Sequence, residues 1–227
     1  MKIENNAGIL FIKVMYVVCI VLTAIAIIRH MQVYTTASGN IKEVKKVAIT
    51  FDDGPHSCYT QELLDGLKKR NVHATFFVTG EHASIHEDII RRMHLEGHLI
   101  GNHTYSHMQL TESNYSEYKQ ELIKTNEVIE NIIGKSVEYV RPPYGEWNEN
   151  LEKEVNMFPV FWNVDPLDWC NENAVQVARN VLDKVEDGSI ILMHDYYESS
   201  VEAALIVVDE LIKQGYSFVT VDEILFD

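Results

Sequence analysis

The sequence predicts an α/β fold of parallel strands joined by helical crossovers, and three observations predict it. Short β-branched or aromatic runs alternate with amphipathic helical stretches along most of the chain. Seven such runs fall within about 180 residues, which suits an incomplete or distorted (β/α) barrel better than an open doubly wound sheet, although the alternation is compatible with both. Carboxylate, imidazole and guanidinium groups collect directly after the strands, where either architecture carries its reactive residues.

The first element is apolar. Residues 7–28, AGILFIKVMYVVCIVLTAIAII, are interrupted only by Lys13, and as a helix they would rise about 33 Å, enough to cross a bilayer. Lys13 lies near one end, where its stem can reach the head groups. The unbroken run, residues 14–28, is shorter, so the segment reads as an uncleaved anchor or as a removed signal peptide; poor small-residue cleavage sites favour the anchor. The expected organisation is an anchor or signal segment over 1–30, a polar linker over 31–45 and a catalytic domain over 46–227. It implies a single-pass cell-membrane protein with the catalytic domain outside, or a secreted one after cleavage.

The strands are expected at 47–51, 74–79, 99–102, 139–141, 160–164, 190–193 and 218–221. Helical patterns occupy 59–71, 113–134, 173–188 and 200–215, the last three closing on Gly134, Gly188 and Gly215. Residues 1–46 carry a net charge of +4, leaving −19 on the remainder of a chain whose total is −15. An acidic domain argues against nucleic acid as a partner. Of three cysteines, Cys19 lies in the apolar segment and Cys58 and Cys170 outside it; their spacing excludes a zinc knuckle and leaves a Cys58–Cys170 disulfide open.

Five polar clusters follow the first, third, fourth, fifth and sixth strands: Asp52 and Asp53 in AITFDDGP, His103 and His107 in HTYSH, Arg141 in RPPYG, Asp165 and Asp168 in DPLDW, and His194 with Asp195. Each alone has an ordinary structural explanation, such as Asp-Gly turn chemistry. Together they converge on one rim. His103 and His107 are four apart and share a face if HTYSH opens a helical turn, and two imidazoles with one carboxylate make an open catalytic metal site. Asp53 or Asp52 supplies the carboxylate, and the other is left to act as a general base on water.

In this order TFDDG, HTYSH, RPPYG, DPLDW and ILMH resemble the five motifs of the polysaccharide deacetylase family, carbohydrate esterase family four, over residues 46–225. The resemblance implies a distorted seven-stranded barrel and metal-dependent hydrolysis of N-acetyl groups on a sugar polymer, releasing acetate. Carried over by position, Asp53, His103 and His107 are the metal triad, Asp52 the general base, His194 the general acid, and Arg141 the residue that holds Asp52. Asp165, with Asp168 as the alternative, is the carboxylate that pairs with His194. Trp169 and Leu192 form the pocket for the acetyl methyl, and the Tyr144 backbone N–H faces the oxyanion. The ligand types suit zinc first, with cobalt, manganese or nickel also fitting.

The expected substrate is peptidoglycan with N-acetylated amino sugars; chitin-like oligosaccharide, exopolysaccharide and O-acetylated glycan are alternatives. A non-catalytic glycan-binding module of the same fold is a further alternative, and the intact motifs argue against it. The chain is expected to be a membrane-tethered monomer. The other histidines, among them His56, His73, His82, His86, His94 and His98, are expected to be structural or surface residues.

Overall fold

The run VAITF forms the strand Lys46–Asp52 (β1), the hub of a seven-stranded parallel sheet. This computed structural model describes residues 44–226, with Met15, Tyr16, Val21 and residues 23–25 from the N-terminal region. The chain divides into two units, Met1–Glu43 and Val44–Asp227, and every strand of the sheet belongs to the second. The expected membrane segment lies mostly outside the described residues, among which no helix is long and apolar enough to cross a membrane.

After β1 come α1 (Tyr59–Arg70), β2 (Thr75–Val78), α2 (Gly80–Ile85), α3 (Glu87–Leu95), β3 (Leu99–Asn102), α4 (Tyr115–Ile133), β4 (Tyr139–Val140) and α5 (Glu149–Val155). Next along the chain are β5 (Phe158–Pro159), α6 (Ala174–Leu182), β6 (Ser189–His194), α7 (Glu198–Lys213), β7 (Ser217–Phe218) and α8 (Val221–Leu225). The strand order is β5-β4-β3-β2-β1-β6. Within it β1 pairs with β2 through Thr50, Phe51 and Asp52, and its first two residues, Lys46 and Val47, pair with β7.

Two expected strands end differently, and each has a physical reason. The fifth, expected at 160–164, splits: β5 pairs with β4 at 158–159, and Val164 bridges Ile191 of β6. Between them the Val160 and Phe161 carbonyls accept from the Arg141 guanidinium at 3.2 and 3.5 Å instead of from a neighbouring strand. This split run closes the sheet into a barrel-like ring. The seventh stops at Phe218 because Thr220 and Glu223 form a capping box that opens α8. The helix expected over 173–188 closes at Leu182, before its glycine.

Side-chain alternation then sorts the core. From β1, Val47, Ile49 and Phe51 join the main cluster packed under the helices, whereas Ala48 joins a smaller one with Phe77, Val160 and Val221 on the enclosed face. Thr50 and Asp52 continue the Ala48 face by the same period of two, so the strand delivers a hydroxyl and a carboxylate to its C-terminal end inside the ring. Asp52 is the register partner of His194 on β6.

One buried histidine makes stability pH-dependent. His98 is 6% exposed and its Nδ1 accepts the Ala74 N–H at 3.1 Å. Burial, assisted by His73, pushes its imidazole down to about 4. A histidine held neutral by the fold contributes stability above its unfolded value near 6.5, lost as pH falls towards 4. Unfolding free energy is expected to drop by up to about 3 kcal/mol over that range on this account. Urea melts between pH 4 and 7 on wild type and His98→Asn, whose amide keeps an acceptor for Ala74, should differ by that slope; parallel curves would refute it.

Candidate active site

Every cluster named from the sequence lies at or just past the C-terminal end of a strand or of the Val164 bridge, as parallel topology requires. Asp52 closes β1, and Asp53 comes after it with φ 74°, a left-handed conformation that turns its side chain away from the strand direction. Gly54 comes next because a Cβ there would stand 2.3 Å from both carboxylate oxygens of the buried Asp195. The Asp53 carbonyl is held in turn by His82, whose Nδ1–H donates to it at 2.8 Å.

His103 continues the β3 ladder, its N–H donating to the Val78 carbonyl at 2.9 Å. HTYSH is not a helical turn. Thr104 and His107 take φ 60° and 57°, and a loop folded by these two left-handed residues brings the imidazoles together, their ring centroids 4.9 Å apart. Asn102 steadies the loop: its Oδ1 accepts from Thr104 N–H and its amide donates to the Leu122 carbonyl.

The Nε2 atoms of His103 and His107 stand 3.4 and 3.3 Å from Asp53 Oδ1. His103 Nδ1 lies 2.6 Å from the Arg141 carbonyl; a carbonyl only accepts, so a ring proton sits on Nδ1 and Nε2 is the atom turned towards Asp53, free to serve as a ligand. Asp53 Oδ1 is buried and receives no hydrogen bond. Three electron-pair donors facing one another with nothing to accept from them are a donor set that a divalent cation completes, and among the described residues this trio forms the one such group.

Arg141 sits just past β4 and is completely buried. Its Nη1 donates to Asp52 Oδ1 at 2.9 Å and, in a very short contact, to Thr50 Oγ1; its guanidinium lies 4.3 Å above the Phe77 ring. Burial opposes the positive charge, which the Asp52 carboxylate supports. Asp52 Oδ2 lies 3.9 Å from His103 Nε2, so one carboxylate touches the trio from behind while its other oxygen is anchored.

On the opposite side stands His194, and here one expectation is corrected. Asp165 does not pair with it: Asp165 Oδ1 accepts the Leu167 N–H at 2.8 Å and caps its own turn. Leu167 at φ 57° reverses the chain into the 3-10 turn Asp168–Cys170, which carries Asp168 into the interior. Asp168 Oδ1 then meets His194 Nδ1 and its Oδ2 accepts the His194 N–H, both at 2.8 Å. Burial works to lower the His194 pKa, but the Asp168 hydrogen bond and charge, with Asp52 and Asp53, raise it to about 9. Its Nε2 stands 4.0 Å from Asp53 Oδ2.

Tyr144, at φ 60° in the turn Pro143–Gly145, lines a pocket of about 410 Å³ together with Trp169, Leu167, Leu192 and the acidic and imidazole groups above. Leu192 is buried and Trp169 half-exposed, so the pocket has an apolar floor and one open wall. Cys58 and Cys170 are free thiols and no disulfide joins them. Sequence reasoning passed over Thr50, left Asp195 without a role and counted His82 among the structural or surface residues; nothing in the spacing of those residues announces their contacts.

The sequence model of the family described as polysaccharide deacetylase matches residues 39–160. The chain is 43% identical over 182 residues to a peptidoglycan-N-acetylglucosamine deacetylase of Bacillus cereus, covering 77% of this chain and 66% of that protein. It is 40% identical over 180 residues to the peptidoglycan-N-acetylmuramic acid deacetylase PdaC of Bacillus subtilis, covering 79% of this chain and 38% of PdaC. The solved structure of PdaC superposes with a TM-score of 0.78 over 81% of this chain and 91% of that one, at 39% identity. A family 4 acetyl xylan esterase of Clostridium thermocellum, solved with a cobalt ion, superposes with a TM-score of 0.74 at 38% identity, over 80% of this chain and 90% of that one. The chain thus spans less than two thirds of the length of the curated relatives it matches first. With five strand-end clusters on one ring and these matches in agreement, the chain belongs to the polysaccharide deacetylase family.

Proposed function

We propose that this protein is a metal-dependent deacetylase that removes N-acetyl groups from the amino sugars of peptidoglycan and releases acetate. The observation that carries the reading is Asp53 Oδ1, buried and unsatisfied between two Nε2 atoms, with a buried Asp52–Arg141 pair on one side and an Asp168–His194 pair on the other. Asp53, His103 and His107 would hold the cation, which when bound supplies Lewis-acid chemistry to the acetyl carbonyl and to water. Zinc is the first choice by ligand type; cobalt, manganese and nickel suit the same set.

The chain's own residues do the rest. Asp52 takes the proton of the attacking water, and Arg141 keeps that carboxylate aimed. The Tyr144 N–H faces the oxygen on which negative charge develops, mounted on the stiff Pro142–Pro143 pair. Trp169 and Leu192 receive the acetyl methyl. His194, kept protonated by Asp168, gives its Nε2 proton to the departing nitrogen, so that an amine and not an amide anion leaves.

The apolar run over 7–28 supports a single-pass anchor that holds the domain outside the membrane beside the wall polymer, with the protein working as a monomer. The test is acetate release by the purified full chain from cell wall, from chitooligosaccharide and from O-acetylated xylan, with mass analysis of the sugar products. Release from cell wall is expected to stop on chelation and to return on adding zinc or cobalt. Full activity in metal-free protein, or no acetate from any N-acetylated polymer, would overturn the reading.

A further inference from the structure

Among the first six strands β2 alone leads into none of the five polar clusters. It nevertheless lies between the two strands that carry the cation ligands, pairing with β1, which runs into Asp53, and with β3, which runs into His103. What leaves β2 is Thr79 and then Gly80, Glu81 and His82, the first turn of the short helix α2.

This segment holds both ligand-bearing loops. Towards the Asp53 turn, the Thr79 N–H donates to the Gly54 carbonyl at 3.1 Å and the His82 Nδ1–H to the Asp53 carbonyl at 2.8 Å, with the Thr79 hydroxyl 3.4 Å from the same oxygen. Towards HTYSH, the Gly80 N–H donates to the Thr104 carbonyl at 2.9 Å and the Glu81 N–H to the Tyr105 carbonyl at 3.0 Å. Asp53 and Thr104 are both left-handed, and the anchored carbonyls pin the peptide planes that follow them. Neither turn can rotate about its Cα without breaking a hydrogen bond.

The fit is close. A Cβ at Gly80 would stand 2.4 Å from the Tyr105 ring and 2.6 Å from Thr125 Oγ1, so the segment reaches the histidine loop only because that residue is glycine. His82 is aimed from the side of β6: Tyr196, two residues past His194, stacks on its ring with centroids 5.4 Å apart and planes 23° apart. A carbonyl only accepts, so a ring proton sits on Nδ1, and the stack keeps it directed at Asp53.

We propose that residues 79–82 are a brace coupling the two ligand-bearing loops, and that His82 is its positioning residue, setting how tightly Asp53, His103 and His107 hold a cation that it does not itself touch. The proposal rests on the reading of those three residues as the ligands. The test measures the zinc affinity of the folded protein, by competition with a chromogenic chelator, for wild type, His82→Phe and His82→Asn. Phenylalanine keeps a ring against Tyr196 and removes the donor; asparagine gives up the ring and offers an amide N–H in place of Nδ1–H.

His82→Phe is expected to bind zinc about tenfold or more weakly, the usual effect of losing an outer partner of a metal ligand. His82→Asn, which retains the donor, should lie within about threefold of wild type. In wild type, zinc is also expected to slow hydrogen exchange at the Gly80 and Glu81 amides, whose acceptors lie in the histidine loop, and at the Thr79 amide, whose acceptor lies in the Asp53 turn. Unaltered affinity in His82→Phe, an equal or greater loss in His82→Asn, or exchange at Gly80 and Glu81 that ignores zinc would overturn the brace. Should His82→Phe fail to fold, the exchange measurement on wild type still decides. A wild type that takes up no divalent cation would instead overturn the ligand reading beneath the proposal.

Discussion

Asp52→Asn is expected to keep its divalent cation and to lower acetate release by about 10²–10⁴-fold, the usual contribution of a positioned general base. Asparagine preserves the shape of the side chain and an acceptor for Arg141 Nη1, so the buried guanidinium keeps a partner at position 52 in addition to Thr50 and the Val160 carbonyl. The charge pair is broken, and a loss of about 3 kcal/mol in stability is expected from that cause, to be read separately by urea melts. His103→Ala behaves differently: it removes one of three donors around Asp53 Oδ1, so cation and turnover are lost together. Metal content by mass spectrometry and acetate release on the same samples separate the two cases. An Asp52→Asn protein with wild-type turnover would sink the assignment of the base.

The second large effect is expected at Asp168. Its two oxygens accept from two donors of the same residue, the His194 backbone N–H and the ring Nδ1–H. Asparagine can satisfy only one of them and presents N–H to the other, and it withdraws the negative charge opposite the imidazolium. With burial opposed only by the charges of Asp52 and Asp53, the His194 pKa falls from about 9. A general acid works below its pKa, so the alkaline limb of the kcat profile should move to lower pH, and kcat should fall by about 10²-fold. Asp165→Asn, whose side chain lies at the pocket's edge but hydrogen-bonds the turn at Leu167 and not His194, is the control and should stay within about threefold of wild type. Damage from Asp165→Asn with Asp168→Asn silent would reverse the correction.

That correction shows what a sequence of this kind discloses. Period-two alternation and helix punctuation are written in side-chain type, so strand and helix order, the parallel class and the rim on which the polar clusters gather are legible. That Asp52 and Asp53 face different partners is legible too, because adjacent residues at a strand end point to different sides. What is hidden is the sign of φ at residues other than glycine. Asp53, Thr104, His107, Tyr144 and Leu167 all adopt the left-handed region, which side chains other than Asn, Asp and His rarely announce. Four of the five lie in the loops that decide which histidine nitrogen and which carboxylate meet, and that is where the helical reading of HTYSH and the choice of Asp165 went astray. The split fifth strand was hidden for another reason: its carbonyls serve a guanidinium whose full burial no local pattern reveals.

The pairing of Asp52 with His194 across β1 and β6 has a consequence for how such a protein changes over time. The two groups proposed to handle protons occupy matching rungs of neighbouring strands, whose axes stand about 4.8 Å apart in any sheet. Their spacing is therefore inherited from the ladder, and no loop has to be tuned to maintain it. Insertions or exchanges in the rim segments can remodel which polymer is gripped while the acid and the base stay in step, so new specificities are reachable without first dismantling the chemistry.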